Sequence, residues 1–454
     1  MLGFSVILYL LLTVIIGYLS SRRIHNANDF AVAGRNLPFF MTSAALFATW
    51  FGSETILGAS EEFIQQGLVG VIEEPIGAAL CLILVGVFYA KKIYRTNLLT
   101  FSDIFRDRFG KRAEIISAVV MIPSFFTWIA AQFLALGLIF QLLFGLSLPT
   151  GIVLGAVLVV FYTALGGMWA VSVTDSIQMV VIIVGLLIVL GLFLSKTDLS
   201  TVSLKAGNDF FKLVNTEKLS WWEWFAAWIT VGLGSIASQD VFQRVISAKN
   251  EKVAMRASVT SGVMYLVIGL VPLLIGLVGS QLYPGFYQSH KGNFISALIL
   301  YKTPVWIQIV FFGALVSAIL STASGAILAP STVLAENILK PYLIKTDLLK
   351  IMRFSVVGIA AVSIFLAFIK QSIFELVGLA SSFGLVSLFL PFTFTLFIRR
   401  TNSTSVILGM ILGLFGWGIA EFAQQSVPSI FYGLLCSLFG LLIGIFVPYT
   451  AVQK

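Results

Sequence analysis

A carboxylate, Glu54, lies inside an apolar run that extends from residue 39 to about residue 64. Gly52 and Ser53 precede it, in the stretch ATWFGSETILG at 48–58. An ionisable side chain inside such a run is costly to bury and is therefore a candidate functional group. A Gly-Ser pair is also a point where a helix can open, which frees backbone carbonyls to bind a cation. The competing interpretation is a structural carboxylate satisfied by a neighbouring helix.

A second polar cluster, SAILSTASG at 317–325, supplies hydroxyl groups. Ala318, Ser321 and Thr322 are spaced i, i+3 and i+4, which places them on one face of a helix. Their two hydroxyls and one carbonyl, together with two carbonyls of an opened helix, would give a five-oxygen shell that suits a hard alkali cation. The alternative is close helix packing, because small residues let membrane helices approach each other.

The composition indicates which scaffold holds these groups. The chain has 454 residues, of which 59% are hydrophobic and 11% charged, and its mean hydropathy is +1.01. A water-soluble fold with an ordinary polar surface does not have these values. Since no polar block is long enough to fold alone, residues 1–454 are predicted to form a single all-α transmembrane domain.

Thirteen apolar segments are long enough to cross a hydrocarbon core of roughly 30 Å as helices. At 1.5 Å per residue the second would be about 43 Å long, so it must tilt or break. The predicted spans cover about 2–20, 38–66, 69–90, 114–143, 149–170, 174–195, 221–245, 254–282, 304–336, 351–369, 373–398, 404–422 and 429–448.

Basic residues orient these spans. With the N-terminus outside, 21 of the 28 lysines and arginines fall on the cytoplasmic side, and this asymmetry follows the positive-inside rule. We therefore predict a multi-pass plasma-membrane protein with its C-terminus in the cytoplasm. The net charge of +8 indicates membrane lipid, rather than nucleic acid, as a partner. The seven basic residues left outside are Lys196, Lys205, Lys212, Lys218, Lys291, Lys302 and Lys370.

The seventh span has its own weak point, GLGS at 232–235. It lies five spans after the Gly-Ser pair of the second span, and a repeat of five spans must be inverted in the membrane. Spans 2–6 and 7–11 are thus predicted to form two inverted repeats, at about 38–195 and 221–398. Paired interrupted helices in such repeats indicate a transporter binding site.

Four motifs resemble those of the sodium:solute symporter family, which has a LeuT-type fold of two inverted five-helix repeats. They are ATWFGSETILG at 48–58, GGMWAVSVTDSIQ at 166–178, QDVFQRVISAKNEKVA at 239–254 and SAILSTASGAIL at 317–328. The resemblance covers most of spans 2–10. It implies a secondary transporter that couples inward sodium flow to solute uptake by alternating access.

The resemblance also implies a sodium site. Its ligands would be backbone carbonyls of Ala48, Phe51 and Ala318 and the hydroxyls of Ser321 and Thr322.

Some family members have a second sodium site, which an aspartate like Asp175 and serines like Ser321 and Ser324 would build. A further serine of that site is replaced here by Gly325. Asp175 and Ser324 would then form either a second cation site or a route for sodium release.

The solute pocket is most similar to that of the choline-transporter branch, on the strength of ATWFG and of FTWIAAQFLALG at 126–137. Trp50 and Trp128 match its aromatic box, whereas Ser238 replaces a tryptophan and Glu54 a glycine of that branch. Glu54 and Glu74 fall where sugar-transporting relatives carry glutamates, and in those relatives the counterpart of Glu74 contacts solute hydroxyls. The predicted solute-binding residues are Trp50, Ser53, Glu54, Glu74, Trp128, Gln132, Ser238 and Gln239.

Buried carboxylates would repel anions, so the sequence predicts an amine-bearing or polyhydroxy solute. Proton coupling through Glu54 and a non-transporting solute sensor remain alternatives, although the sequence ends soon after the thirteenth span without a signalling domain. An enzyme is not expected, because His25 and His290 fall in loops and no nucleophile-base or metal-ligand spacing is found. Sodium is the only ion predicted, no cofactor is predicted, and the oligomeric state stays open.

Overall fold

The computed structural model describes residues 1–197, 200, 202, 206–369, 372–423 and 425–446. Within these ranges all regular secondary structure is helical, and the connections between the helices include one isolated parallel bridge between Leu37 and Ala248. Lys205, Lys370 and Lys454, which contributed to the predicted orientation, lie outside the described residues, as do the last two residues of the predicted span 429–448.

Eighteen helices of six or more residues organise the described chain. They are α1 (Leu2–Ser21), α2 (Ala27–Val32), α3 (Phe39–Trp50), α4 (Ala59–Gln66), α5 (Leu68–Thr96), α6 (Phe101–Phe109), α7 (Lys111–Phe144), α8 (Leu148–Leu194), α9 (Trp221–Gly234), α10 (Gln239–Ser247), α11 (Glu251–Leu282), α12 (Pro284–Ser289), α13 (Phe294–Lys302), α14 (Val305–Leu339), α15 (Leu348–Ile369), α16 (Ile373–Phe397), α17 (Ser403–Phe422) and α18 (Ser429–Phe446).

Ten helices of the described chain are long and apolar enough to cross a membrane: α1, α5, α7, α8, α11 and α14 to α18. The described chain has three fewer membrane-length helices than the thirteen predicted spans, for three reasons. The second predicted span is divided into α3 and α4, the seventh is divided into α9 and α10, and the fifth and sixth run together in α8. Hydropathy alone does not register such breaks, since the interrupting residues are few.

Helix α8 bends sharply at Gly167, where φ is 47° and ψ is −148°. As one straight helix its 47 residues would extend about 70 Å, more than twice the hydrocarbon core. Gly166 lies against Gly17 near the end of α1, whereas Ile188 lines a surface cavity with Val6 near the start of α1. The second arm of α8 therefore runs back along α1.

Both interrupted spans break inside the protein. Helix α3 ends at Trp50, and Phe51 has a non-helical ψ of 74°. Helix α9 ends at Gly234, a short 3₁₀ turn (Ser235–Ala237) follows, and Ser238 is extended before α10 begins. Such irregular backbone is tolerated at membrane depth only where protein or a cavity covers it.

The second break begins at the end of the predicted GLGS stretch, where α9 ends at Gly234, and continues to Ser238. A Cβ built at Gly234 would be 2.5 Å from the carbonyl oxygen of Ser381. This glycine is therefore required by the close approach of α9 and α16.

Helix α14 is the most enclosed of the ten membrane-length helices in the described chain, and all of its residues 314–333 are buried. It carries the SAILSTASG cluster within this buried stretch. The hydroxyls of that cluster must therefore find partners inside the protein.

We expect Gly167→Ala to destabilise the fold. An added Cβ would lie 2.5 Å from the Phe30 carbonyl oxygen at a backbone conformation that glycine favours, at a cost of about 1–3 kcal/mol. Thermal unfolding of the purified protein measures the effect. Gly191→Ala is the matched control in the same helix, since its Cβ would meet no heavy atom within 4 Å. Equal melting temperatures for the two variants would contradict the tight bend.

Candidate functional site

A small cavity of about 50 Å³ lies where the two interrupted spans meet α5, α7 and α16. Five predicted solute-binding residues line it: Trp50, Glu54, Glu74, Trp128 and Ser238. The structure thus brings together side chains that are up to 188 positions apart in the chain.

Glu54 is held by two residues of α7. Its Oε1 accepts a hydrogen bond from Trp128 Nε1 (3.1 Å), and its Oε2 accepts one from Gln132 Nε2 (2.7 Å). Trp128 and Gln132 are four residues apart, so both project from one face of α7. The side-chain Oε1 of Gln132 accepts from the backbone N–H of Ser53 (3.2 Å). Gln132 and Ser53 therefore position the carboxylate, and neither is among the residues described as lining the cavity.

Glu74 lies beside the break in the second span. Its Oε1 accepts a hydrogen bond from the Thr55 hydroxyl (2.7 Å) and is also bonded to the Tyr265 hydroxyl. The Tyr265 hydroxyl also lies 2.8 Å from the carbonyl oxygen of Trp50. The hydroxyls of Thr55 and Tyr265 therefore lie beside the Trp50 carbonyl, which the end of α3 leaves without a helical partner and which also accepts from the backbone N–H of Gly52 (2.8 Å).

Trp50 joins the two interrupted spans. Its indole Nε1 donates to Asp240 Oδ2 at 2.8 Å, and the Asp240 carboxylate also accepts from the Ser238 hydroxyl. Arg244, one turn later on α10, donates from Nη1 to the backbone carbonyl of Asp240 (3.2 Å).

The cavity wall is aromatic on the α7 side. Phe125 and Trp128 pack with ring centroids 6.0 Å apart, and both line the cavity with Trp50. Such rings attract a cation placed over their faces.

Three of the five predicted sodium ligands are in direct contact. The Ala48 carbonyl accepts hydrogen bonds from the hydroxyls of Thr322 (3.1 Å) and Ser321 (3.3 Å). Phe51 follows Ala48 at the break of the second span, and Ala318 is buried one turn before Thr322 on α14. The end of α3 and the middle of α14 thus place oxygen atoms, which alkali cations prefer, side by side.

Asp175 and Ser324 adjoin this group. Asp175 is buried on α8, and its Oδ1 is hydrogen-bonded to the Ser321 hydroxyl. The Ser324 hydroxyl donates to the backbone carbonyl of Ser321 (2.9 Å). No group of three or more His, Cys, Asp or Glu side chains within the described ranges could hold a metal ion.

Gly52 lies between the cavity and the predicted sodium ligands. A Cβ built there would be 2.7 Å from Glu54 Oε2, 2.8 Å from Thr322 Oγ1 and 2.9 Å from Gln132 Oε1. The two groups of residues therefore approach the same point, and only a glycine leaves room for both.

Gln239 is placed elsewhere. Its Oε1 accepts a hydrogen bond from the backbone N–H of Phe101 (2.6 Å) at the start of α6, and it is not among the residues that line the cavity in the described chain. It begins α10, so its side chain leaves the break in a direction different from that of Ser238.

Sequence reasoning did not identify Thr55, Tyr265, Phe125 and Ser381 as site residues. Phe125 and Trp128 are three residues apart on one helix face, and this spacing could have revealed Phe125. The others depend on tertiary contacts between distant segments.

We expect Gly52→Ala to weaken the binding of sodium and of solute together, because the methyl group would displace the Thr322 hydroxyl and the Glu54 carboxylate at once. Isothermal titration of each ligand measures the two affinities. Gly313→Ala on α14 is the control, since its Cβ would meet no heavy atom within 4 Å. Loss of one affinity without the other would contradict the shared position of Gly52.

Comparison with known proteins relates these features to a family. The sequence model of the sodium:solute symporter family matches residues 30–413. The chain is 25% identical to the high-affinity choline transporter 1 of Caenorhabditis elegans, over 94% of this chain and 79% of the relative. It is 26% identical to the human high affinity choline transporter 1, over 90% of this chain and 75% of that relative. It is 28% identical to the sodium/proline symporter of Haemophilus influenzae, over 93% of this chain and 88% of that relative.

Solved structures share the fold. A Na⁺-coupled sialic acid symporter in a substrate-bound outward-open state superposes with a TM-score of 0.85, at 20% identity over 100% of this chain and 99% of the other. Mhp1, a nucleobase-cation-symport-1 family transporter, gives a TM-score of 0.59 at 15% identity over 93% and 94%. The family predicted from the four motifs is confirmed. The chain belongs to the sodium:solute symporter family and is a multi-pass membrane transporter of LeuT-type fold.

Proposed function

We propose that this transporter couples inward sodium flow to the uptake of a small organic solute that carries a positively charged amine. The Glu54 carboxylate supports this proposal most directly. It lines the cavity together with Glu74, Trp50 and Trp128, and no Lys, Arg or His is among the residues described in the cavity wall. Buried carboxylates require compensation by a cation or by several donors.

The aromatic wall favours an amine over a polyhydroxy solute. Trp50, Phe125 and Trp128 offer ring faces, and a cation over such a face gains about 0.5–2 kcal/mol. The relatives named above transport choline and proline, and both compounds carry a positively charged nitrogen. A polyhydroxy solute would use the carboxylates as acceptors but would gain less from the rings.

The sodium ion would bind to the carbonyls of Ala48, Phe51 and Ala318 and to the hydroxyls of Ser321 and Thr322. There it would hold the end of α3 against α14 and so fix the break that carries Trp50 and Glu54. Sodium and solute would then raise each other's affinity by the same factor, at a coupling free energy of about 1–3 kcal/mol.

The transport cycle would follow from two inverted repeats, at about 38–195 and 221–398. If each interrupted span and each arm of α8 counts as one crossing, the helices amount to the thirteen predicted crossings. The repeats would rock against each other to open the site alternately to the outside and to the cytoplasm. In this arrangement the N-terminus is outside and the C-terminus is cytoplasmic.

A thermal-shift screen of the purified protein tests the solute class. An amine should raise the melting temperature more in sodium chloride than in potassium chloride, and it should be taken up by proteoliposomes under a sodium gradient. Uptake driven by a pH gradient without sodium would favour proton coupling through Glu54 instead. Absence of sodium-driven uptake of every amine in a broad panel would refute the proposal.

Glu54→Gln should weaken binding of the amine at least tenfold, because a charged hydrogen-bonding partner contributes about 1.5–3 kcal/mol. Glu61→Gln is the matched control, since the Glu61 carboxylate accepts from Gln65 and Tyr287. Equal affinities of the two variants would show that the Glu54 charge does not recognise the solute.

Ser321→Ala and Thr322→Ala should each raise the sodium concentration for half-maximal uptake about fivefold or more, since each removes one oxygen ligand. Ser331→Ala is the control on the same helix, because its hydroxyl donates to the backbone carbonyl of Ile327 (2.6 Å). Unchanged sodium dependence in both variants would refute the assigned site.

A further inference from the structure

Arg244 is a fully buried cation that the proposed transport cycle does not use. Its Nε donates to the carbonyl of Ala45 on α3 (3.0 Å), and its Nη1 donates to the carbonyl of Asp240 on α10 (3.2 Å). Only 1% of the residue is exposed. A guanidinium keeps its charge even when buried, so this arginine adds a permanent positive charge to the interior.

Gly325 makes the space for this guanidinium. A Cβ built at Gly325 would lie 2.1 Å from Arg244 Nη2 and 3.1 Å from its Cζ. The guanidinium therefore lies against the backbone of α14 at this residue. A serine at position 325 could not coexist with Arg244 in its present place.

Asp175 is the acidic counterpart of this arrangement. Its Oδ1 is bonded to Ser321, which lies one helical turn before Gly325 on the same face of α14. Its Oδ2 is buried and has no hydrogen-bond partner among the described residues, and the same holds for Arg244 Nη2. Two opposite charges with unpaired atoms thus lie one turn apart along α14, and each offsets the cost of burying the other.

We propose that the Arg244 guanidinium takes the place of a second cation beside Asp175, so that this transporter binds and moves one sodium ion per solute. The inference rests on the sodium coupling proposed above. Asp175 would otherwise be free to bind a cation, because it presents an unpaired carboxylate oxygen beside the hydroxyl of Ser321. The guanidinium supplies that positive charge from within the chain and repels a further cation.

Equilibrium binding of ²²Na⁺ to the purified full-length protein counts the ions. We expect one ion per wild-type chain. Two ions would overturn the role of Arg244 while leaving sodium coupling intact. A count of zero ions would overturn both the role of Arg244 and the proposed sodium coupling.

Arg244→Gln removes the charge and keeps a polar side chain. We expect this variant to bind two ions, with a Hill coefficient for sodium above the wild-type value of one. A role of Arg244 in folding alone would lower the amount of active protein without raising the number of ions. Arg256→Gln is the charge-matched control, because Arg256 is exposed on α11, and it should bind one ion. One ion per folded Arg244→Gln chain would overturn the proposal.

If Arg244→Gln does not fold, solute accumulation by the wild-type protein tests the number of coupled sodium ions. In proteoliposomes held at zero membrane potential, a tenfold sodium gradient sustains tenfold solute accumulation when one ion is coupled and hundredfold accumulation when two are coupled. We expect tenfold accumulation. Hundredfold accumulation would overturn the proposal.

Discussion

The break in the second span depends on one constraint: a backbone carbonyl inside a membrane protein must have a hydrogen-bond partner. The Trp50 carbonyl, which ends α3, lies within hydrogen-bonding distance of the hydroxyls of Tyr265 (2.8 Å) and Thr55 (3.3 Å). Both hydroxyls also contact Glu74. The carboxylate that lines the cavity therefore also orders the groups that keep the helix open.

The same opening gives the binding region its two faces. On one face the last turn of α3 presents the Ala48 carbonyl to the hydroxyls of α14, and on the other Trp50 and Glu54 reach the cavity. Gly52 separates these faces by little more than its own backbone. A change at either face is thus transmitted over a few ångströms of main chain.

Local signals in the sequence predicted the first break. The expectations that Glu54 groups with Trp128 and Gln132 of α7, and Ala48 with the hydroxyls of α14, came from the family resemblance instead. The weak point predicted in the seventh span contains the start of the second break, and Gly234 within it also permits the close approach of α16. The surroundings of Trp50 could not be predicted. Asp240 is 190 residues away from it and Tyr265 is 215, and no periodicity encodes such contacts. The sequence also predicted two separate spans for the two arms of α8, although the structure joins these arms in one bent helix.

The bond between Trp50 and Asp240 has a consequence for biosynthesis. A ribosome that adds about 5–20 residues per second makes Asp240 roughly 10–40 s after Trp50. During that interval the nascent first half holds an indole N–H and an open helix end whose final partners do not yet exist. The early spans are therefore incompletely folded during this interval, and their structure is completed after α10 and α11 have been synthesised.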